Sequence, residues 1–76
     1  MFELDKYYEQ YSDDIYKFIY FLTFNKQIAE DLMQETFIKA FEARTPFRNE
    51  AQISTWLHAI AKNSTYDYLK KKSNRL

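Results

Sequence analysis

Ala29-Glu30-Asp31-Leu32-Met33-Gln34-Glu35-Thr36-Phe37-Ile38-Lys39-Ala40-Phe41 is the stretch on which the fold turns. Wound at about 3.6 residues per turn, it becomes a helix with two unlike faces. Ala29, Leu32, Met33, Phe37 and Ala40 gather on one side and have the character of a core stripe. Asp31, Gln34, Glu35, Ile38 and Glu42 gather on the other, an apolar side chain set among acids and an amide. A solvated face with one stray isoleucine would account for it, because single exposed apolar residues are ordinary. A docking surface would account for it equally, and the downstream half of the chain decides between them.

The sequence on either side is helical in the same way. Glycine is absent and proline occurs once in 76 residues, which favours helices joined by short connections over sheets joined by tight turns. Upstream, Leu4, Tyr8, Tyr11, Ile15, Phe18 and Leu22 recur at steps of three or four and predict an amphipathic first helix over about 2–24. Ser12-Asp13-Asp14 carries a capping signal inside that span, so one bent helix and two helices split near residue 12 both remain open. Asn25, tolerant of left-handed geometry and equipped with a capping oxygen, suits the link into a second helix over about 26–44. Thr45-Pro46 ends that helix, since proline disfavours helical geometry in the residue before it. Phe47-Arg48-Asn49-Glu50-Ala51 then reads as a loop in which Phe47 either plugs the core edge or offers a stacking surface.

A last helix is expected from Gln52, or from Ser54 as its cap, to about Lys72. Its apolar stripe is Ile53, Trp56, Leu57, Ile60, Ala61, Ser64 and Tyr68; His58, Ala59, Lys62, Thr65, Tyr66 and Leu69 form the other face, with Asn63 at the border. The expected fold class is therefore all-α, a compact three- to four-helix bundle with a loop between the last two helices, for which the resemblance given below implies recognition.

Composition narrows function by exclusion. A chain of 76 residues permits one small domain, and 46% hydrophobic content with 20% aromatics supplies a core despite 29% charge. Without cysteine there are no disulfides or thiolate metal sites, so helix packing must hold the fold. The longest apolar stretch, Phe18–Phe24, is too short to span a bilayer, and the acidic N-terminus does not resemble a signal peptide. A soluble, cytoplasmic protein with no membrane contact is expected. One histidine and no glycine leave no phosphate-cradling loop, and His58 has no carboxylate three or four residues away to make it a general base. It reads as a surface histidine. The chain reads as a non-enzyme without metal or other cofactor.

Zero net charge hides an asymmetry. Residues 1–38 carry three lysines against eight acids, for −5, and residues 39–76 carry eight lysines or arginines against three acids, for +5. The basic half suits phosphate and the acidic half a basic protein. Lys70-Lys71-Lys72 alone would also fit a solvated helix end complementing the helix dipole.

Taken in order, AEDLMQETFIKAFEA followed by PFRNEAQISTWLHAIAKNSTYDYLKKK closely resembles region two of the extracytoplasmic-function sigma factors, the promoter-recognition subunits of bacterial RNA polymerase. The resemblance covers about residues 2–72. Its specific parts are Ala29-Glu30-Asp31-Leu32 with Gln34-Glu35 and Phe37, then Phe47-Arg48, then Thr55-Trp56-Leu57, Ile60-Ala61 and Asn63. It implies that the second helix docks on the clamp coiled-coil of the largest RNA polymerase core subunit through Asp31, Gln34 and Glu35. Ile38, by geometry alone, would bury at the centre of that contact.

The resemblance further implies that Phe47, Arg48, Asn49, Glu50 and Ala51 form a specificity loop receiving an extruded base of the non-template strand of the promoter minus-ten element. Asn63 would lie beneath the loop and read a base edge. Lys62, Tyr66 and Lys70, with His58 as a weaker candidate, would contact the DNA backbone. Trp56 is expected in the core, anchoring the loop. Many relatives have Gly where this chain has Asn49 and Arg where it has Ala59. The family is also commonly held inactive by anti-sigma factors, a further expected partner. Whole members carry a second, minus-thirty-five-reading domain, so the chain is expected to be an isolated domain that binds clamp and single-stranded promoter DNA weakly by itself. A competing expectation is a helical protein-interaction adaptor that uses the Asp31–Glu42 face without binding nucleic acid.

Overall fold

In a computed structural model, described for residues 4–43 and 50–73 and for the side chains of 5–43 and 52–73, the chain forms three helices. They are α1 (Leu4–Thr23), α2 (Lys26–Glu42) and α3 (Glu50–Ser73), and each packs against the other two. No strand occurs among the described residues, so the fold is all-α there. The recognition loop expected at 45–51 lies outside them up to residue 49.

The first helix is continuous through Ser12-Asp13-Asp14, one helix rather than two. Burying Tyr11 and Ile15 along one stripe requires the helix to run on, and an i,i+4 ion pair between Asp13 and Lys17 at 3.1 Å spans the same turn. The capping signal loses because tertiary burial outweighs a local hydrogen-bonding preference.

A two-residue link turns the chain back on itself, so that Tyr8, early in α1, meets Phe37, late in α2, with ring centroids 4.9 Å apart. Asn25 caps α2, its Oδ1 accepting from the Ile28 N–H at 3.0 Å. The left-handed position was expected of Asn25, but Asn25 is extended (φ −138°, ψ 116°) and Phe24 takes the positive φ of 52°. The reason is positional: an N-cap needs β-region geometry, so the reversal that ends α1 falls one residue earlier.

The core is built from Ile15 and Ile19 of α1, Ala29, Leu32, Met33, Phe37 and Ala40 of α2, and Ile53, Leu57 and Ala61 of α3. Every member of the α2 stripe expected from the sequence is buried. In α3 the buried arc is wider than expected. Thr65, assigned to the outer face, is fully buried, and His58, assigned to the surface, is half-buried. The two lie two turns apart on one edge of α3, the edge covered by α1, where Phe18 meets His58 edge-to-face at 5.4 Å. A helix packed against two neighbours buries more than a single stripe. Trp56 is likewise half-buried, at the rim of the core rather than inside it.

Candidate functional site

The outer face of α2 is as the sequence suggested. Asp31, Gln34, Glu35 and Ile38 are all exposed, Ile38 by 59%. Their exposure results from the burial of Leu32, Met33, Thr36, Phe37 and Ala40 on the opposite side, which fixes the rotation of the helix. Phe41 is also exposed, so the acidic middle of the face runs into an apolar end formed by Ile38 and Phe41. An acidic strip beside two large apolar side chains has the make-up of an interface, with hydrophobic contact inside a polar border.

Glu35 does not stand alone on that face. Its Oε2 lies 3.1 Å from the Lys39 ammonium, which also donates to Ser64 Oγ of α3 at 3.0 Å. Lys39 thus spans from the outer face of α2 to the neighbouring helix.

On α3, Lys62, Asn63, Tyr66 and Lys70 are exposed. Lys62 Nζ sits 5.7 Å above the centre of the Tyr66 ring, so a cation and an aromatic face share one patch. His58 has less to offer. Its Nδ1 is 2.9 Å from the Ser54 carbonyl oxygen, which can only accept, so Nδ1 carries the proton and that edge is spent on the helix backbone. Gln52, Thr55, Trp56 and Ala59 line a shallow groove along the N-terminal half of α3, a feature the sequence did not reveal.

Phe47, Arg48 and Asn49 lie outside the described residues. Glu50 and Ala51, expected in the loop, belong to the first turn of α3, which starts two residues before the expected Gln52. Glutamate and alanine are both good helix formers, so nothing in them resists the longer helix.

Sequence reasoning missed two exposed aromatics altogether. Phe21 and Phe24 are each 73% exposed at the end of α1, with rings 6.3 Å apart and Tyr20 6.1 Å from Phe24. A signal for them exists, since neither residue falls on the apolar stripe of α1. Among the described residues no cluster of three or more His, Cys, Asp or Glu is placed to hold a metal ion, and no helix is long and apolar enough to cross a membrane.

Residues 7–75 match the family described as Sigma-70 region 2. Among curated proteins, the chain is 35% identical over 68 residues to the ECF RNA polymerase sigma factor SigM of Bacillus subtilis (strain 168), covering 90% of this chain and 41% of that protein. It is 39% identical over 70 residues to the ECF RNA polymerase sigma factor BldN of Streptomyces coelicolor, covering 91% and 26%. It is 42% identical over 62 residues to the ECF RNA polymerase sigma factor SigW of Bacillus subtilis (strain 168), covering 82% and 33%. The chain therefore spans well under half the length of these relatives. No solved structure gives a significant match. The motif order of α2 and α3, the all-helical fold and the family match agree: the chain belongs to the Sigma-70 region 2 family, in its extracytoplasmic-function (ECF) branch.

Proposed function

We propose that this domain docks on the clamp coiled-coil of the largest RNA polymerase subunit through α2 and reads the non-template strand of the promoter minus-ten element through α3 and the residues just before it. The observation that carries the reading is the separation of two exposed surfaces of opposite character on two helices. Asp31, Gln34, Glu35 and Ile38 lie on α2; Lys62, Asn63, Tyr66 and Lys70 lie on α3. A basic coiled-coil complements the first, and Ile38 with Phe41 supplies the desolvated contact. A single strand complements the second, with cations for phosphates, Tyr66 for stacking and the Asn63 amide for a base edge.

Phe47, Arg48, Asn49, Glu50 and Ala51 belong to the same strand-reading surface in this reading, as the receptacle of an extruded base. The groove beside Trp56 is available to an adjacent base, because Ala59 fills so little of its lining. His58 is demoted to a packing residue with one remaining ring nitrogen. The role is binding rather than catalysis, and it is exercised in the cytoplasm, where an anti-sigma factor that covers the two surfaces would silence it.

The test has two independent arms. Asp31→Ala with Gln34→Ala should abolish capture of a clamp coiled-coil fragment, and undiminished capture removes the docking assignment. Selection from a randomised single-stranded DNA pool at low salt should enrich a base preference that Asn63→Ala erases at one position. Absence of any preference in the unaltered domain refutes strand reading and leaves the adaptor alternative standing.

A further inference from the structure

Lys39 is a basic residue on the acidic helix, and it is placed where the two proposed surfaces meet. Its ammonium lies 3.1 Å from Glu35 Oε2 and donates to Ser64 Oγ at 3.0 Å. Ser64 is 3% exposed and directly follows the exposed Asn63. One side chain therefore connects the outer face of α2 to the turn of α3 that carries the proposed base reader.

The core to which both helices contribute is apolar, with Leu32, Met33 and Ala40 from α2 and Ile53, Leu57 and Ala61 from α3. Apolar packing fixes the spacing of two helices but is non-directional and tolerates rotation about the helix axis. A hydrogen bond from a charged donor to a buried hydroxyl is directional and loses strength steeply as it misaligns. Rotation matters for Asn63. At roughly 5–6 Å from the helix axis, a turn of about 20° carries a side-chain tip about 2 Å, out of hydrogen-bond range of a base edge. Glu35 supplies the second half of the device. With Glu four residues N-terminal to Lys, the pair has the favoured order along the helix. Both side chains are about half-exposed, so the ion pair contributes little to stability, and its value is to select the Lys39 conformer that reaches α3.

We propose that Lys39, held by Glu35 and bonded to Ser64, is a positioning residue for promoter-strand reading, setting the rotation of α3 at which Asn63 meets its base. This rests on the assignment of strand reading to α3.

The experiment uses the whole chain and the same randomised single-stranded DNA pool, with the strand enriched by the unaltered domain as probe and a strand substituted at the Asn63-dependent position as competitor. Lys39→Met and Ser64→Ala should each lower discrimination between the two strands roughly five- to ten-fold, within the range of one good base contact. The double variant should be no worse than either single, because both remove the same bond. Glu35→Gln should lower discrimination less, and Lys39→Arg should restore most of it. Capture of the clamp fragment by Ser64→Ala, which lies off the docking face, should match that of the unaltered domain. Melting temperature followed alongside separates positioning from general destabilisation, and Lys39→Met carries the test by itself if Ser64→Ala does not fold. Unchanged discrimination in folded Lys39→Met overturns the proposal, as does an additive loss in the double variant. Failure of the strand-reading assignment shows differently, as no preference in the unaltered domain.

Discussion

Thr36 and Thr65 make a matched pair whose responses to one substitution should have opposite signs. Both sit inside helices and both are fully buried. The Thr36 hydroxyl donates to the Leu32 carbonyl oxygen at 2.8 Å, whereas Thr65 Oγ1 has no hydrogen-bond partner among the described residues. Valine has nearly the same shape, so Thr→Val removes the hydroxyl and leaves packing in place. A buried, unpaired hydroxyl costs about 1–3 kcal/mol in proteins. Taking the low end, Thr65→Val should stabilise the domain by about 1 kcal/mol. At Thr36 the same change deletes a hydrogen bond of net value about 0.5–1.5 kcal/mol, so Thr36→Val should destabilise by about that amount.

For a domain of 76 residues, an unfolding entropy of about 2.1 cal/mol/K per residue converts 1 kcal/mol into roughly 6 °C. The two variants should therefore melt about 12 °C apart, Thr65→Val above the unaltered domain and Thr36→Val below it. Thermal unfolding followed by far-ultraviolet circular dichroism measures this directly. A fall in melting temperature for Thr65→Val would mean that the hydroxyl is bonded in the folded protein. Shifts of the same sign in both variants would mean that helix propensity or packing, and not hydroxyl satisfaction, controls these positions.

Two further perturbations address the α1–α2 link. Asn25→Ala removes the oxygen that accepts from the Ile28 N–H and should cost about 1 kcal/mol, read as a lower midpoint in urea with an unchanged slope. Phe24→Asn relieves a left-handed bulky residue, worth about 1 kcal/mol, and gives up the quarter of the ring that is covered, worth about the same, so stability should barely change. Light scattering at high concentration should nevertheless fall, because the exposed Phe21–Phe24 patch is halved. On α3, Lys62→Ala should reduce the slope of log affinity for a single strand against log salt by about 0.7, the share of one phosphate contact.

How far the sequence could be read depended on how many neighbours a helix has. The α2 stripe repeats cleanly at three and four residues, and all five residues assigned to it are buried; only Thr36, a polar residue in an apolar row, was missed. The outer face of α2 was legible for the same reason, as its complement. In α1 and α3 a single stripe was too narrow a description. Ile19, Thr65 and His58 lie on flanks that a second helix covers, and periodicity along one chain does not show which flank that will be. The start of α3 at Glu50 was illegible because residues 47–51 carry no apolar repeat to mark a boundary. Lys39 was invisible as a bridge, since an ion pair within one helix can be guessed from spacing but a hydrogen bond to Ser64, 25 residues away, cannot.

The charge division gains meaning once it is placed in space. The acidic half contributes α1 and most of α2, and the basic half contributes α3, on a body 44 × 20 × 17 Å across. At physiological ionic strength the screening length is about 8 Å, less than half the smaller dimensions, so a strand on α3 feels the lysines of that face and little of the acids beyond. At about 0.01 M salt the screening length grows to roughly 30 Å, which exceeds those dimensions, and an approaching strand then meets a body whose net charge is zero. Strand affinity should therefore rise on dilution of salt along the usual straight log–log line and then flatten below about 0.03 M, where the acids of α1 and α2 enter the field. Neutralising exposed acids of α1, as in Asp13→Asn with Asp14→Asn, should restore the straight line at low salt and leave affinity at physiological salt nearly unchanged. A plot that stays straight for the unaltered domain throughout would show that the two halves do not share one electrostatic field, and that screening is not what keeps the two proposed surfaces apart.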